Sequence, residues 1–183
     1  LAIAIRLDYE VMKKAGRIVI MGTAGLGDGN VTPVAEFNIW QDAEAAKIVT
    51  ESGLDNIIFV GWDACLGDCM LNPKEIKEIR ESGKLGKFAI DCNKNLLEMN
   101  RERFGDDYLD MADPSAMSAA LYPECIEKCE KYYCEVDVSA GPSYGAVLVD
   151  VNNVTGKEPN VYICSKLYAD KYKEYIYRTL KVK

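Results

Sequence analysis

The stretch NVTPVAEFNIWQDAEAAKIV, Asn30 to Val49, places two carboxamides and a carboxylate close together: Asn30, Glu36 and Asn38. A carboxamide both donates and accepts hydrogen bonds, whereas a carboxylate only accepts. Together they suit a small polyol whose hydroxyls must be fixed in direction, and a sugar ring is the natural candidate. On spacing alone an ordinary reading stands beside this one, with Asn30 serving a turn next to Gly29, Glu36 a solvated loop acid and Asn38 a plain loop residue. Asp113, in MADPSA, has the same double reading, because an aspartate before a proline commonly caps a helix.

These residues need elements to hold them. RIVIMG (17–22) and NIIFVGW (56–62) are short β-branched runs next to glycines, which suits strands buried on both faces. Between them a helix is predicted from Asp42, with Asp42 and Glu44 at its positive end and Gly53 as its stop. Strand, loop, helix, strand is the grammar of a parallel α/β layer. Asn30, Glu36 and Asn38 would then project from the carboxyl end of a parallel strand, where ligands of open α/β sheets bind.

Elsewhere, LAIAIRLDYEVMKKAG reads as one mostly buried helix ending at Gly16, without a capping residue at its start. NPKEIKEIRESG (72–83) reads as a short amphipathic helix capped by Asn72, and KFAIDCNKNLLEMNRERFG (87–105) as one longer helix. Residues 106–124 give an acidic loop and a small-residue helix starting near Pro114. YYCEVDV (132–138) and AVLVDV (146–151) are predicted strands joined through the Gly141–Gly145 turn. NVYICS (160–165) and the helix 168–181 follow. The 183 residues suit one domain.

Composition narrows the function. Apolar residues make up 49% and charged residues 28%, as in a folded globular chain. The net charge of -7 and the lack of a long basic block argue against nucleic acid as a partner. No apolar run approaches the roughly 20 residues that span a bilayer, and no secretory leader opens the chain, so no membrane partner and a cytoplasmic location are expected. The seven cysteines are expected to be reduced. Cys65/Cys69 and Cys125/Cys129 are spaced so that each pair could share a helix face and bind a soft metal, with ordinary buried thiols as the simpler reading. Histidine is absent, so imidazole chemistry is not completed by this chain alone.

The run N-x-T-P-x-A-E-F-N, followed three residues later by D-x-E-A-A-x-I-V, resembles the central signature of the inosine-uridine preferring nucleoside hydrolase family. RIVIMG, ADPSA and TGKEPNV resemble further family segments in the same order. The resemblance implies a Rossmann-like, mainly parallel α/β sheet with flanking helices, incomplete at its amino end. It also implies cleavage of the N-glycosidic bond of ribonucleosides to ribose and free base, as in nucleoside catabolism and purine salvage. By position it gives Asn30, Glu36 and Asn38 the ribose hydroxyls, with Glu36 and Asn38 the catalytic pair, and puts Met21 close to the sugar. Asp113 becomes a ligand of a Ca2+ ion. Departing base leaves oxocarbenium character on the ribose, so a carboxylate that strengthens its contact as positive charge develops would lower the barrier.

Two departures limit this transfer. The family's amino-terminal aspartate cluster, D-x-D-x-G-x-D-D, and a calcium-binding threonine are missing from these residues, so the calcium site is incomplete. The chain resembles the carboxyl-terminal part of a nucleoside hydrolase and is expected to be inactive alone. Ala112 stands where many members carry a histidine that protonates the leaving base. Tyr108 is a candidate leaving-group contact, with plain packing its simpler role. A non-catalytic nucleoside- or ribose-binding protein is the competing function. Purine against pyrimidine preference is left open, as is assembly into a homo-oligomer, dimer or tetramer.

Overall fold

The computed structural model describes residues 1–182, apart from the side chain of Phe104. Helices α1 (Ala2–Leu7) and α2 (Tyr9–Met12) lead into strand β1 (Ile18–Met21). After a long loop come α3 (Phe37–Gln41), α4 (Ala43–Thr50) and β2 (Ile57–Val60), then α5 (Pro73–Glu81), α6 (Lys84–Asp91), α7 (Lys94–Phe104) and α8 (Ala112–Leu121). Strands β3 (Ile126–Tyr132), β4 (Cys134–Val136), β5 (Val147–Val149) and β6 (Val161–Leu167) precede α9 (Ala169–Leu180). The main sheet has the order β1-β2-β6-β3, with β1, β2 and β6 parallel and β3 antiparallel on the outside. β4 and β5 form a separate antiparallel hairpin.

The central strands β2 and β6 carry buried side chains on both faces, as a parallel sheet requires, while β1 is half-buried along its length. Ile57 and Phe59 of β2, with Val161 and Ile163 of β6, pack against Ala43, Ala46 and Val49 of α4. Val60 and Cys164 face the opposite layer, where Ala116 and Ala119 of α8 and Tyr172 of α9 cover them. The local stops work as their chemistry predicts. The Asp42 carboxylate caps α4 by accepting from Ala45 N, and Asn72 forms a reciprocal capping box with Glu75 at the start of α5.

Three expectations need correction, and one strand was not expected. The first helix is two, because Asp8 leaves the helical conformation (φ -152°) and its carboxylate accepts from Val11 N to start α2. Of α1 only Ala2 and Ile5 are buried. Apolar residues spaced by two point all round a helix, which leaves Ile3 76% and Leu7 81% exposed. The helix expected over 87–105 breaks after Asp91, where Asn93 Nδ2 donates to the Ala89 carbonyl at 2.8 Å and competes with the helical ladder. Strand β3 lies in CIEKCEKY, whose alternation is blurred by the charges that an edge strand carries. Neither cysteine pair shares a helix face: Cys65 and Cys69 sit in successive 3-10 turns, Cys125 in another, and Cys129 on β3.

Asn160, at the end of the TGKEPN segment, locks three elements. Its Oδ1 accepts from Cys134 N at 2.8 Å, while Nδ2 donates to the carbonyls of Thr50 and Cys134 at 3.2 and 2.9 Å. Asn160→Ala leaves a donor and two carbonyls without that partner, and should cost about 2–3 kcal/mol in urea unfolding with an unchanged m-value. A loss below about 0.5 kcal/mol, the range of an ordinary surface change, would remove Asn160 from this role.

Candidate functional site

The site grows from the carboxyl end of β1. Gly22 N donates to Val60 O at 3.2 Å and prolongs the parallel ladder by one step. A side chain at Gly22 would meet Ile39 Cδ1 at 2.9 Å, so glycine lets α3 approach the strand end. Thr23 follows with φ 74°, a left-handed conformation that a β-branched residue rarely adopts, and it is buried. That turn aims the Thr23 amide at the carboxylate of Glu36.

Glu36 is 2% exposed, which overturns the solvated-acid reading. Its carboxylate caps α3, accepting from Asn38 N at 2.9 Å and Ile39 N at 3.3 Å. Burial raises its pKa above the usual carboxylate range, the three amide hydrogen bonds oppose that rise, and the charge of Asp113 adds to it. Asn30 is tied to the same corner, its Oδ1 accepting from Phe37 N at 2.8 Å. Asn38 Nδ2 donates to Met21 Sδ at 3.0 Å.

Met21, Asn30, Glu36, Asn38 and Asp113 line one cleft of about 290 Å3, and Ala112 flanks it. Asp113 does not cap α8. The capping position is Met111, without a side-chain cap, and Asp113 lies in the first turn with its side chain exposed to the cleft. Tyr108 is not among the residues lining the cleft; it precedes the Leu71–Leu109 bridge, and its carbonyl accepts from Asn100 Nδ2 at 3.1 Å.

Sequence reasoning missed Asp110. It is 7% exposed, and its oxygens accept from Trp62 Nε1 at 2.9 Å and Asn100 Nδ2 at 2.5 Å. Asp110 and Trp62 line the cleft and also an adjoining depression of about 600 Å3, with Phe37 and Leu96 common to both. The Arg103 guanidinium lies 4.6 Å from the Trp62 ring centre at that second depression. Spacing gave no signal for this group, because Trp62, Asn100 and Asp110 belong to three separate segments.

Residues 1–174 match the family described as inosine-uridine preferring nucleoside hydrolase. The chain belongs to this family. The pyrimidine-specific ribonucleoside hydrolase RihB of Escherichia coli is 34% identical over 164 residues, covering 89% of this chain and 51% of its own. A Shigella boydii relative is likewise 34% identical over 164 residues and is covered over 66% of its length. The chain thus spans about half to two thirds of the curated relatives it matches. A plant nucleoside hydrolase superposes with a TM-score of 0.87 at 26% identity over 100% of this chain and 58% of its own. A purine-preferring ribonucleoside hydrolase from Gardnerella vaginalis superposes with a TM-score of 0.83 at 27% identity over 99% and 57%. The nucleoside hydrolase fold, a mostly parallel sheet with flanking helices, is therefore the fold seen here.

The family resemblance implies calcium, and the described residues do not form a full shell for it. None of them group as three or more histidine, cysteine or acidic ligands. Asp113 brings one carboxylate, where calcium takes about six to eight oxygens. The cysteine pairs likewise make no such metal group among the described residues. No described helix is long and apolar enough to cross a membrane.

In this nucleoside hydrolase chain the loop carrying Asn30 is anchored from behind by Asp63. Its Oδ2 accepts from Leu26 N at 2.8 Å, while Oδ1 is buried without a partner among the described residues. Its carboxylate fills the space that a side chain at Gly25 or Gly61 would need. Burial pushes the Asp63 pKa up from 3.8 to about 6, against the hydrogen bond from Leu26. A carboxyl raised on folding stabilises the fold when protonated. That contribution is full below the unfolded value of 3.8 and is lost as pH rises through about 6. The stability of the wild type relative to Asp63→Asn should therefore rise by about 2–3 kcal/mol between pH 7.5 and pH 4 in urea titrations. A pH-independent difference between the two proteins would contradict the raised pKa.

Proposed function

We propose that this chain is the ribose-gripping part of a ribonucleoside hydrolase, which cleaves the N-glycosidic bond of purine or pyrimidine nucleosides to ribose and free base. The observation that carries this reading is the convergence of Met21, Asn30, Glu36, Asn38 and Asp113 on one cleft at the carboxyl end of β1. Asn30 uses its carbonyl oxygen on Phe37 N, which leaves its amide N–H pair to donate to a sugar hydroxyl. Glu36 accepts from a hydroxyl beside its capping bonds. Its buried negative charge favours the positive charge that grows on the ribose as the base departs. Met21 supports the sugar's apolar face.

Asp113 is the oxygen ligand this chain offers to calcium, which when bound would orient and acidify the attacking water. Its other ligands are not among the described residues, so the chain's own contribution is binding and charge stabilisation. Ala112 has no proton to give, and Tyr108 stands off the cleft. Protonation of the leaving base falls to solvent or to groups beyond these residues. We read residues 1–183 as a single domain, the carboxyl-terminal part of a nucleoside hydrolase, in the cytoplasm. One relative is named pyrimidine-specific and another purine-preferring, so both base classes stay within the reading.

The 183-residue chain should bind ribose or a ribonucleoside without releasing base, because no lining residue activates water. Calorimetry with inosine and uridine, followed by chromatographic assay for free base with and without calcium, checks both halves. Calcium-dependent turnover by this chain alone would sink the partial-site reading.

Joined to the aspartate-bearing amino-terminal segment that the family resemblance implies, the protein should turn over a ribonucleoside. There Glu36→Gln should lower kcat on the order of 10²-fold with a smaller change in KM, as expected for loss of about 3 kcal/mol of transition-state stabilisation. Unchanged kinetics would return Glu36 to a purely structural capping role. Tight nucleoside binding by the joined protein without any turnover would favour the second reading, a nucleoside- or ribose-binding protein, which the absence of an acid at Ala112 supports.

A further inference from the structure

Four of the seven cysteines, Cys69, Cys125, Cys129 and Cys164, pack in one core cluster, and two of them face each other across a strand pair. Cys129 of β3 is directly opposite Cys164 of β6 in the antiparallel register. Residues so placed have Cα atoms about 4.5–5.5 Å apart, inside the roughly 4.4–6.8 Å window that a disulfide spans. The neighbouring pair on the same face confirms that side chains meet across this ladder, since Lys131 lies over the Tyr162 ring at 5.7 Å. Cys164 is fully buried and Cys129 half-buried, and both thiols are free. The family reading uses neither, and they belong to no metal-binding group among the described residues.

We propose that Cys129 and Cys164 form a reversible disulfide site, oxidised by a small-molecule disulfide of the glutathione class and reopened by thiols. The chemistry is asymmetric. The thiol–thiol hydrogen bond draws the Cys129 pKa down, whereas the same bond and burial push Cys164 up. Cys129 also has the access, so it attacks first. Its thiolate bonds to one sulfur of the oxidant, the oxidant's S–S bond breaks, and one glutathione thiolate leaves. The Cys164 sulfur then attacks Cys129 Sγ and expels the second glutathione, which takes the Cys164 proton. Two protein thiols are oxidised and one small disulfide is reduced to two thiols.

The site is not remote from the cleft. The Cys164 carbonyl accepts from Gly61 N at 3.0 Å, and Gly61 precedes Trp62, a wall of the cleft. A link between Cys129 and Cys164 would fasten the edge strand β3 to the strand that holds this turn.

The native protein should be incubated with glutathione disulfide, alkylated under denaturing conditions and digested with trypsin. Mass spectrometry should then find residues 129–131 joined to residues 158–166, with the intact chain lighter by two hydrogens apart from any adduct on Cys92. The link should vanish on treatment with dithiothreitol. It should also be missing from Cys129→Ser and Cys164→Ser, the first with free Cys164 and the second with glutathione retained on Cys129. Cys92 is the exposed thiol that reports an active oxidant. Glutathione on Cys92 with Cys129 and Cys164 both alkylated would overturn the proposal, as would either residue linked to Cys65, Cys69 or Cys125 instead.

Discussion

The corner that holds the cleft depends on one buried carboxylate. Glu36 draws the amides of Thr23, Asn38 and Ile39 to itself, and those amides come from the end of β1 and the start of α3. A five-residue helix has little stability of its own, so this cap is what directs Asn38 into the cleft. The backbone at Thr23, next to this corner, takes a left-handed conformation that is costly for a β-branched residue. Gly22 supplies the matching absence of a side chain, so that Ile39 and the Glu36 carboxylate can crowd the strand end. Burial disfavours the charged form of Glu36 and the amides favour it, and a group balanced in that way is sensitive to any positive charge placed before it.

A second carboxylate does the corresponding work behind the loop. Asp63 holds Leu26 and occupies the space that Gly25 and Gly61 leave open, so the chain between β1 and Asn30 is packed against the turn after β2. The two carboxylates thus brace the loop at both ends. Asp110 braces the opposite wall through Trp62 and Asn100. Three acids, Glu36 and Asp110 buried and Asp63 partly so, serve different ends because their partners differ: backbone amides for Glu36 and Asp63, side-chain donors for Asp110.

Much of the frame was legible because its signals are local. The glycine-bounded β-branched runs gave β1 and β2, and the caps Asp42 and Asn72 gave α4 and α5 with nearly correct starts. Breaks at Asp8 and Asn93 were not legible, since each depends on a side chain choosing a backbone partner over continued helix. Strand β3 was hidden for a different reason: its pairing partner β6 is distant in sequence, and its outward charges mask the alternation. For the site, Asn30, Glu36, Asn38 and Asp113, which the motif singled out, line one cleft, while Asp110 looked like one more acid in an acidic loop. Only the Leu71–Leu109 bridge brings it beneath Trp62.

The same contrast bears on what this cleft can do. On the proposed reading, the directed donors and acceptors that a sugar needs come from a strand end, a capped helix and an aspartate on α8, which line one cleft. Moving protons needs a group that can exchange its hydrogen-bond partners during the reaction. Glu36 and Asp110 are each held by two or more donors, and Asp113 sits at the exposed rim. Among the described lining residues the acids are therefore arranged for placing charge and geometry rather than for exchanging protons. On the proposed reading, a hydrolase built on this cleft brings its acid–base chemistry from another part of the fold, and the cleft itself contributes the grip on ribose.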